Sequence, residues 1–338
     1  MGNISERSAM PDNEETTCIS FNDNREIAIT ERKINDPGEN QVLVRMKACG
    51  ICKYDIKCYK DSGTDPAYNA KPGHEGVGIV EAVGINVKDI KPGEKVTSDS
   101  FGGAFADYFV ADLDTVVKIP EDVEEYEFWV AEPVACVVSS LRYLRIEPGD
   151  DVVVIGCGYM GLLIIQGLPK DFIHNLTAID IDDNRLSMAK KFGANRIVNS
   201  RDEDAVQAVL DISKNKVDVV IEAVGAKGVI KQATGMLKNG ARLCIFGHHA
   251  EDEVIPTGEW HMKGLQVLNT TPYMSKNFHK DLIDAVKLME KGVFDQSELI
   301  SHTYSFTDIK RAMEEVAENP SDLIKAVVTN YRDKLSFG

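Results

Sequence analysis

Four side chains that could bind a metal stand at three places in the chain. There is a thiol at Cys52 in Ala48-Cys49-Gly50-Ile51-Cys52-Lys53-Tyr54-Asp55, and an adjacent imidazole and carboxylate at His74 and Glu75 in Gly73-His74-Glu75-Gly76. A second carboxylate, Glu132, lies in Ala131-Glu132-Pro133. Thiolate, imidazole and carboxylate together suit Zn²⁺, and catalytic sites of this kind keep a position for water or substrate. Cys49 and Cys52 also form a Cys-x-x-Cys pair, which by itself reads as a redox dithiol or as half of a structural zinc site. No second Cys-x-x-Cys completes such a site. One at a time, the same residues read as a satisfied core histidine, a surface acid and small core cysteines.

A second constellation follows the apolar run Val152-Val153-Val154-Ile155. It is Gly156-Cys157-Gly158-Tyr159-Met160-Gly161, continued by Leu162, Leu163, Ile164 and Ile165. Strand, glycine turn and helix stand in the order a dinucleotide site needs. Gly156 permits the tight turn, Gly158 lets the backbone approach a pyrophosphate, and Gly161 lets the helix pack on the strand, with its first amides facing the phosphates. Asp180 lies about twenty residues further on at the end of the next apolar strand, where a carboxylate accepts ribose hydroxyls. Asp182 and Asp183 follow, and Arg185 is the one nearby cation to compensate a 2′-phosphate. That acidity favours NAD over NADP. The plainer reading makes the glycines ordinary turns and Asp180 a helix cap.

These residues need two kinds of element around them. As far as about Glu125 the chain shows short β-branched or alternating runs (Glu26–Thr30, Gln41–Arg45, Val77–Val83, Lys95–Thr97) broken by Pro-Gly pairs at 37–38, 72–73 and 92–93. This predicts a β-rich domain after a polar leader. From Gly149, apolar runs at Val152–Ile155, Leu176–Ile179, Arg196–Val198, Val217–Ile221, Arg242–Ile245 and Leu265–Leu268 alternate with mostly helix-length segments. This predicts βαβ units and a doubly wound parallel sheet, an α/β fold. Leu282, Ile283, Val286, Leu288 and Met289 mark a helix that stops at Gly292. A second helix starts at Thr307 and ends before Pro320.

Composition sets the outer bounds. With 338 residues, 43% of them hydrophobic, the chain is long enough for two cores. The net charge of −16, from 54 acidic against 38 basic residues, argues against nucleic acid and anionic membrane as partners. No run approaches the roughly 18 apolar residues of a membrane span. Met1 to Thr17 has no apolar core for a signal peptide, so a cytosolic protein is expected. Met1-Gly2 opens like an acylation signal, but Glu6 stands where that signal wants Ser or Thr. Seven scattered cysteines do not make a disulfide framework.

Residues 39–57, 71–84 and 91–109, Glu132, and residues 149–161 together resemble the zinc-containing medium-chain dehydrogenase superfamily of alcohol, sorbitol and threonine dehydrogenases. The likeness runs from about residue 25 to residue 330, and its most specific parts are Gly-Ile-Cys-x-x-Asp and Gly-His-Glu in register with the later glycine turn. It implies a GroES-like β-rich catalytic domain over residues 1–134 and 276–338, a Rossmann NAD-binding domain over 135–275, and an active site in the cleft. It makes Cys52 the zinc thiolate with Cys49 a bystander, His74 the imidazole ligand, and Glu75 an acid that binds or approaches zinc. Asp55 becomes the carboxylate that orients the histidine ring. Glu132, 24 residues before Gly156, fills the position where alcohol dehydrogenases have their second cysteine and sorbitol-type enzymes have Glu-Pro. Lys53 and Lys325 match cations that relatives set against the pyrophosphate, though the residues alone equally suit solvated lysines. Ile181 and Val224 are expected beside the cofactor. Phe246-Gly247-His248 borders the nicotinamide in the family, where His248 contacts substrate, shuttles a proton or is simply a loop histidine.

Three departures from the pattern carry expectations of their own. The lobe with four structural cysteines is absent, because Lys95-Val96-Thr97-Ser98 runs through Phe101-Gly102-Gly103-Ala104 to Phe105-Ala106-Asp107-Tyr108. One zinc per subunit is therefore expected. Tyr54 replaces the usual Ser or Thr of the proton relay and Lys57 the usual histidine, so the relay runs through the phenol, through Lys57 or by another path. Glu132 and the missing lobe point to NAD-linked oxidation of a secondary hydroxyl of a polyol, sugar alcohol or cyclitol. L-Threonine 3-dehydrogenase is the alternative within the family, zinc-free quinone or enoyl reductases share the fold without the ligand set, and a silent NADH-binding protein is the alternative outside enzymology. The family commonly forms dimers or tetramers, here through the strand at Leu265–Leu268.

Overall fold

The computed structural model describes residues 15–34, 36–61 and 63–331. Residues 1–14, on which the reading of an absent signal peptide and acylation site rests, lie outside them. The chain divides into two compact units, one of residues 1–133, 285–290 and 295–338, the other of residues 134–284 and 291–294.

The first unit is β-rich. The polar start is a strand from its fifteenth residue, since β1 (Glu15–Asn22) pairs antiparallel with β2 (Glu26–Lys33). The centre of the main sheet is β3 (Gln41–Ile51), a run of β-branched and small residues buried along almost its whole length. Two short helices follow, α1 (Lys53–Lys60) and α2 (Pro66–Asn69), and then β4 (Glu75–Val83), β5 (Lys95–Ser98), β6 (Tyr108–Asp112) and β7 (Val116–Lys118); α3 (Glu132–Leu144) begins at the end of this stretch and belongs from Val134 onward to the second unit. Asp65 caps α2 by accepting the Tyr68 N–H, with Pro66 at the first helical position.

The second unit alternates strand and helix: β8 (Asp151–Ile155), α4 (Tyr159–Gly167), β9 (Asn175–Asp180), α5 (Asp183–Lys191), β10 (Arg196–Asn199), α6 (Ala205–Ser213), β11 (Val217–Glu222), α7 (Val229–Met236), β12 (Leu237–Ile245), α8 (Thr257–Lys263), β13 (Gln266–Asn269) and α9 (Phe278–Glu290). The last elements are β14 (Ile300–Ser305), α10 (Ile309–Glu318) and β15 (Lys325–Thr329). In the first unit the strands run β14-β15-β3-β4-β5-β7, with β6 also on β3. In the second the order is β10-β9-β8-β11-β12-β13 and every pair is parallel. The order reverses between β8 and β11, and crevices at such switch points hold ligands in doubly wound sheets. The expected α/β fold, a GroES-like β-rich part with a Rossmann-type parallel sheet, is the fold observed.

Both cores are apolar and closed. Val42, Val44, Met46, Phe105 and Phe109 centre the first, and Val153, Ile179, Val220 and Leu243 the second. The predicted strand β13 is one of the sheet's two outer strands, with β10 the other.

Candidate functional site

Adjacent strand ends assemble the candidate metal ligands. Antiparallel pairing puts Gly50 of β3 opposite Glu75 of β4 and, on its other side, opposite Val327 of β15. Cys52 follows β3 directly and His74 precedes β4, so residues more than twenty positions apart converge. One ligand atom each from Cys52, His74 and Glu75 lies within 4.8 Å of the others. That donor set of thiol, imidazole and carboxylate fits zinc in softness and in number, leaving a coordination position open. Glu132 opens α3, is 8% exposed, and acts electrostatically on His74 and Lys325 without joining the tight three-residue group.

The surroundings are strongly organised. The Cys52 N–H donates to Asp55 Oδ2 at 2.7 Å, which ties the carboxylate to the ligand loop. Asp55 Oδ1 accepts from the Tyr68 hydroxyl, which also lies 2.6 Å from His74 Nδ1. Burial raises the Asp55 pKa, opposed by His74, Tyr68 and the Cys52 N–H. For His74, burial works against the charged ring, but its hydrogen bond to Cys52 and the charges of Asp55, Cys52 and Glu132 hold its pKa well above the ordinary range. Asp99, just beyond β5, is pushed up to about 8 by burial and by the charges of Glu132 and Glu75, with His74 opposing.

Lys325 is neither surface-exposed nor solvated. Its Nζ lies 2.8 Å from Glu75 Oε1 and it is 6% exposed. Tyr54 donates its hydroxyl to Asp65 Oδ2 at 2.9 Å, and Lys57 and Lys53 are exposed on α1. Cys49 is fully buried on β3, with burial raising its thiol pKa, which does not suit a redox dithiol.

In the second unit the turn after β8 has the required geometry. Gly156 sits at φ +95°, and a β-carbon on Gly161 would stand 1.8 Å from the Gly156 carbonyl oxygen, so both positions need glycine. Gly158 caps α4, whose first turn carries Tyr159 and Met160. Asp180 ends β9 and accepts the Cys157 N–H at 2.6 Å, the Ile181 N–H at 2.8 Å and the Asp182 N–H at 3.0 Å. Asp180 thus braces the glycine turn, while the helix cap is Asp182, which accepts the Asn184 and Arg185 N–H groups. Ile181 and Val224 are exposed, and Val224 flanks Gly156.

Both units resemble known proteins. The family model described as alcohol dehydrogenase GroES-like domain matches residues 38–121, and that described as zinc-binding dehydrogenase matches residues 160–290. An alcohol dehydrogenase of Moraxella sp. (strain TAE123) is 31% identical over 254 residues, 65% of this chain and 74% of its own. The chain belongs to the zinc-dependent medium-chain dehydrogenase superfamily. A D-xylulose reductase of Saccharomyces cerevisiae is 28% identical over 337 residues, 88% of this chain and 92% of its own. An Escherichia coli oxidoreductase/dehydrogenase of unknown specificity superposes with a TM-score of 0.85 at 22% identity, over 94% of this chain and 99% of that one. As a member of this superfamily the protein is a zinc-type oxidoreductase that acts on an alcohol with a nicotinamide cofactor.

Several residues of this medium-chain dehydrogenase escaped the sequence reading. Tyr68 follows the helix-start signal Asp65-Pro66, yet nothing local says that its hydroxyl reaches His74. Glu222, at the end of β11 and fully buried, accepts the Val224 and Gly225 N–H groups at 2.7 Å and faces His249 Nε2 at 2.9 Å. Phe246 and Gly247 donate their N–H groups to the Glu222 carbonyl, so Glu222 holds both loops beside the turn. His248 is exposed, and the histidine that is held in place is its neighbour His249.

Proposed function

We propose that this dehydrogenase oxidises a secondary hydroxyl of a polyol, sugar alcohol or cyclitol to the ketone, with NAD as hydride acceptor and one zinc per subunit. The observation that carries the reading is the convergence of Cys52, His74 and Glu75 within 4.8 Å. Zinc, when bound there, supplies the Lewis acidity that lets an alcohol lose its proton near neutral pH.

The chain's own residues supply the rest. Cys52 and His74 are held by Asp55 and Tyr68, and Lys325 holds Glu75 at the edge of the group. Asp180 supports NAD, because its carboxylate braces the glycine turn and retains capacity for a ribose hydroxyl, whereas a 2′-phosphate would meet Asp180, Asp182 and Asp183. Glu132 followed by Pro133, and the carboxylate-rich surroundings, favour a substrate with several hydroxyls. D-Xylulose reductase and the erythritol/L-threitol dehydrogenase of Mycolicibacterium smegmatis, 28% identical over 341 residues, are relatives acting on such compounds. The exposed outer strand β13 supports subunit pairing through that edge.

The test is NADH formation across hexitols, inositols, aminocyclitols and 2,3-butanediol, with L-threonine and NADP run in parallel and zinc measured on the same sample. Turnover of a polyol with NAD, lost in Cys52→Ser together with the zinc, is expected. No turnover with any polyol, or a faster rate with threonine, sinks the substrate assignment.

A further inference from the structure

Asp55 and His74 do not meet directly, since His74 Nδ1 is 4.0 Å from Asp55 Oδ1. The hydroxyl of Tyr68 fills the gap, 2.6 Å from His74 Nδ1 and donating to Asp55 Oδ1. The same oxygen accepts the Gly73 N–H at 3.0 Å. A tyrosine hydroxyl has one proton and accepts through its oxygen lone pairs. With that proton given to the Asp55 carboxylate, the hydroxyl is an acceptor toward His74, and Nδ1 is the nitrogen that carries the ring proton. Nε2 is then left with its lone pair for a ligand shared with Cys52 and Glu75.

The tyrosine is itself held from three sides. Its backbone N–H donates to Asp65 Oδ1 at 3.0 Å, and Asp65 Oδ2 also holds the Tyr54 hydroxyl at 2.9 Å. Tyr54 in turn packs edge-on against the Tyr68 ring, with centroids 5.1 Å apart. Tyr68 is 6% exposed. A side chain locked in this way can fix a neighbour's orientation.

We propose that Tyr68 is a positioning residue of the metal site, the middle member of a chain from Asp55 through Tyr68 to His74 that selects the Nδ1–H tautomer and aims Nε2 at the metal. The proposal rests on reading Cys52, His74 and Glu75 as a zinc site. Partners in this position orient a ligand and are typically worth about 10- to 100-fold in metal affinity.

The experiment measures the zinc dissociation constant by competition with a chromophoric chelator for wild type, Tyr68→Phe and Tyr304→Phe. Absorption spectra of the cobalt(II) forms and melting temperatures of the metal-free proteins accompany it. Tyr68→Phe keeps the ring and loses the hydroxyl, so zinc affinity is expected to fall about 10- to 100-fold with altered cobalt bands. Tyr304→Phe, at a buried tyrosine whose hydroxyl donates to Glu315 and touches none of Asp55, Tyr68 and His74, is expected to keep the wild-type constant. Nitrogen-15 shifts of His74 in the zinc-loaded wild type, expected to show a protonated Nδ1, test the assignment without any variant. Zinc binding by Tyr68→Phe within about twofold of wild type, or a protonated Nε2, overturns the role of Tyr68 while leaving the zinc site standing. A wild type that binds no zinc overturns both.

Discussion

Lys325 and Glu75 form a buried ion pair at the candidate metal site, with Nζ 2.5 Å from Oε2 and 2.8 Å from Oε1 and the side chains 6% and 2% exposed. Burial by itself disfavours the ammonium, but the Glu75 charge outweighs it and keeps the Lys325 pKa above the ordinary range. Removing one partner of such a pair strands the other charge, whereas replacing both with uncharged groups does not. Lys325→Met is therefore expected to lower the stability of the metal-free protein by about 3–5 kcal/mol in urea unfolding. The double variant Glu75→Gln/Lys325→Met is expected to recover most of that loss. Additive losses in the double variant would count against the pair as a coupled unit.

Gly50 stands where a side chain would strike this pair. A β-carbon there would lie 1.8 Å from Glu75 Oε2 and 3.1 Å from Lys325 Cε. Alanine in a strand normally gains about 0.5–1 kcal/mol over glycine. Gly50→Ala is expected to go the other way, destabilising the metal-free protein and lowering zinc content as Glu75 is displaced. A more stable variant with full zinc would show that the carboxylate moves aside without consequence.

Asp180 is expected to set cofactor choice. Hydrogen bonds to a charged group contribute about 1.5–3 kcal/mol, so Asp180→Ala should raise KM for NAD about 10- to 100-fold. KM for NADP should change less or fall, because the variant removes a negative charge facing a 2′-phosphate. An unchanged ratio of kcat/KM for NAD and NADP would remove Asp180 from the cofactor's ribose.

A local source of acid sensitivity is expected in the second unit. The Asp284 carboxylate is held below its ordinary range by the hydrogen bond from Lys280 at 2.6 Å and by Arg142 at 2.8 Å. A depressed folded pKa gives stability that is present above the unfolded value of about 3.9 and lost as pH falls through the folded one. Arg142→Gln is expected to be less stable than wild type near neutral pH, with the difference closing below about pH 4. Melting temperatures across pH 3–7 measure this, and a difference that persists or grows in acid would contradict it.

The residue pattern alone indicated both kinds of unit, because strand, glycine turn and helix are local events. The run Val152–Ile155, the glycines at 156, 158 and 161, and Asp180 each act within one βαβ unit, and their spacing alone is enough to place them. Cys52, His74 and Glu75 were legible for a different reason. They lie at the ends of neighbouring antiparallel strands, and a characteristic motif marks each one.

Tertiary structure decided what no local signal carries. Strand register across β15, β3 and β4 brings Lys325 to Glu75, 250 positions away in the chain. The four-residue helix Pro66–Asn69 lifts Tyr68 between Asp55 and His74, and Asp65 draws the Tyr54 phenol to itself. Glu222 joins two loops because β11 and β12 lie side by side in the parallel sheet. In each case a side chain found its partner through the packing of separate elements. The sequence by itself determined which chemistry the chain carries and in which kinds of element, and only the folded packing decided which groups hold that chemistry in place.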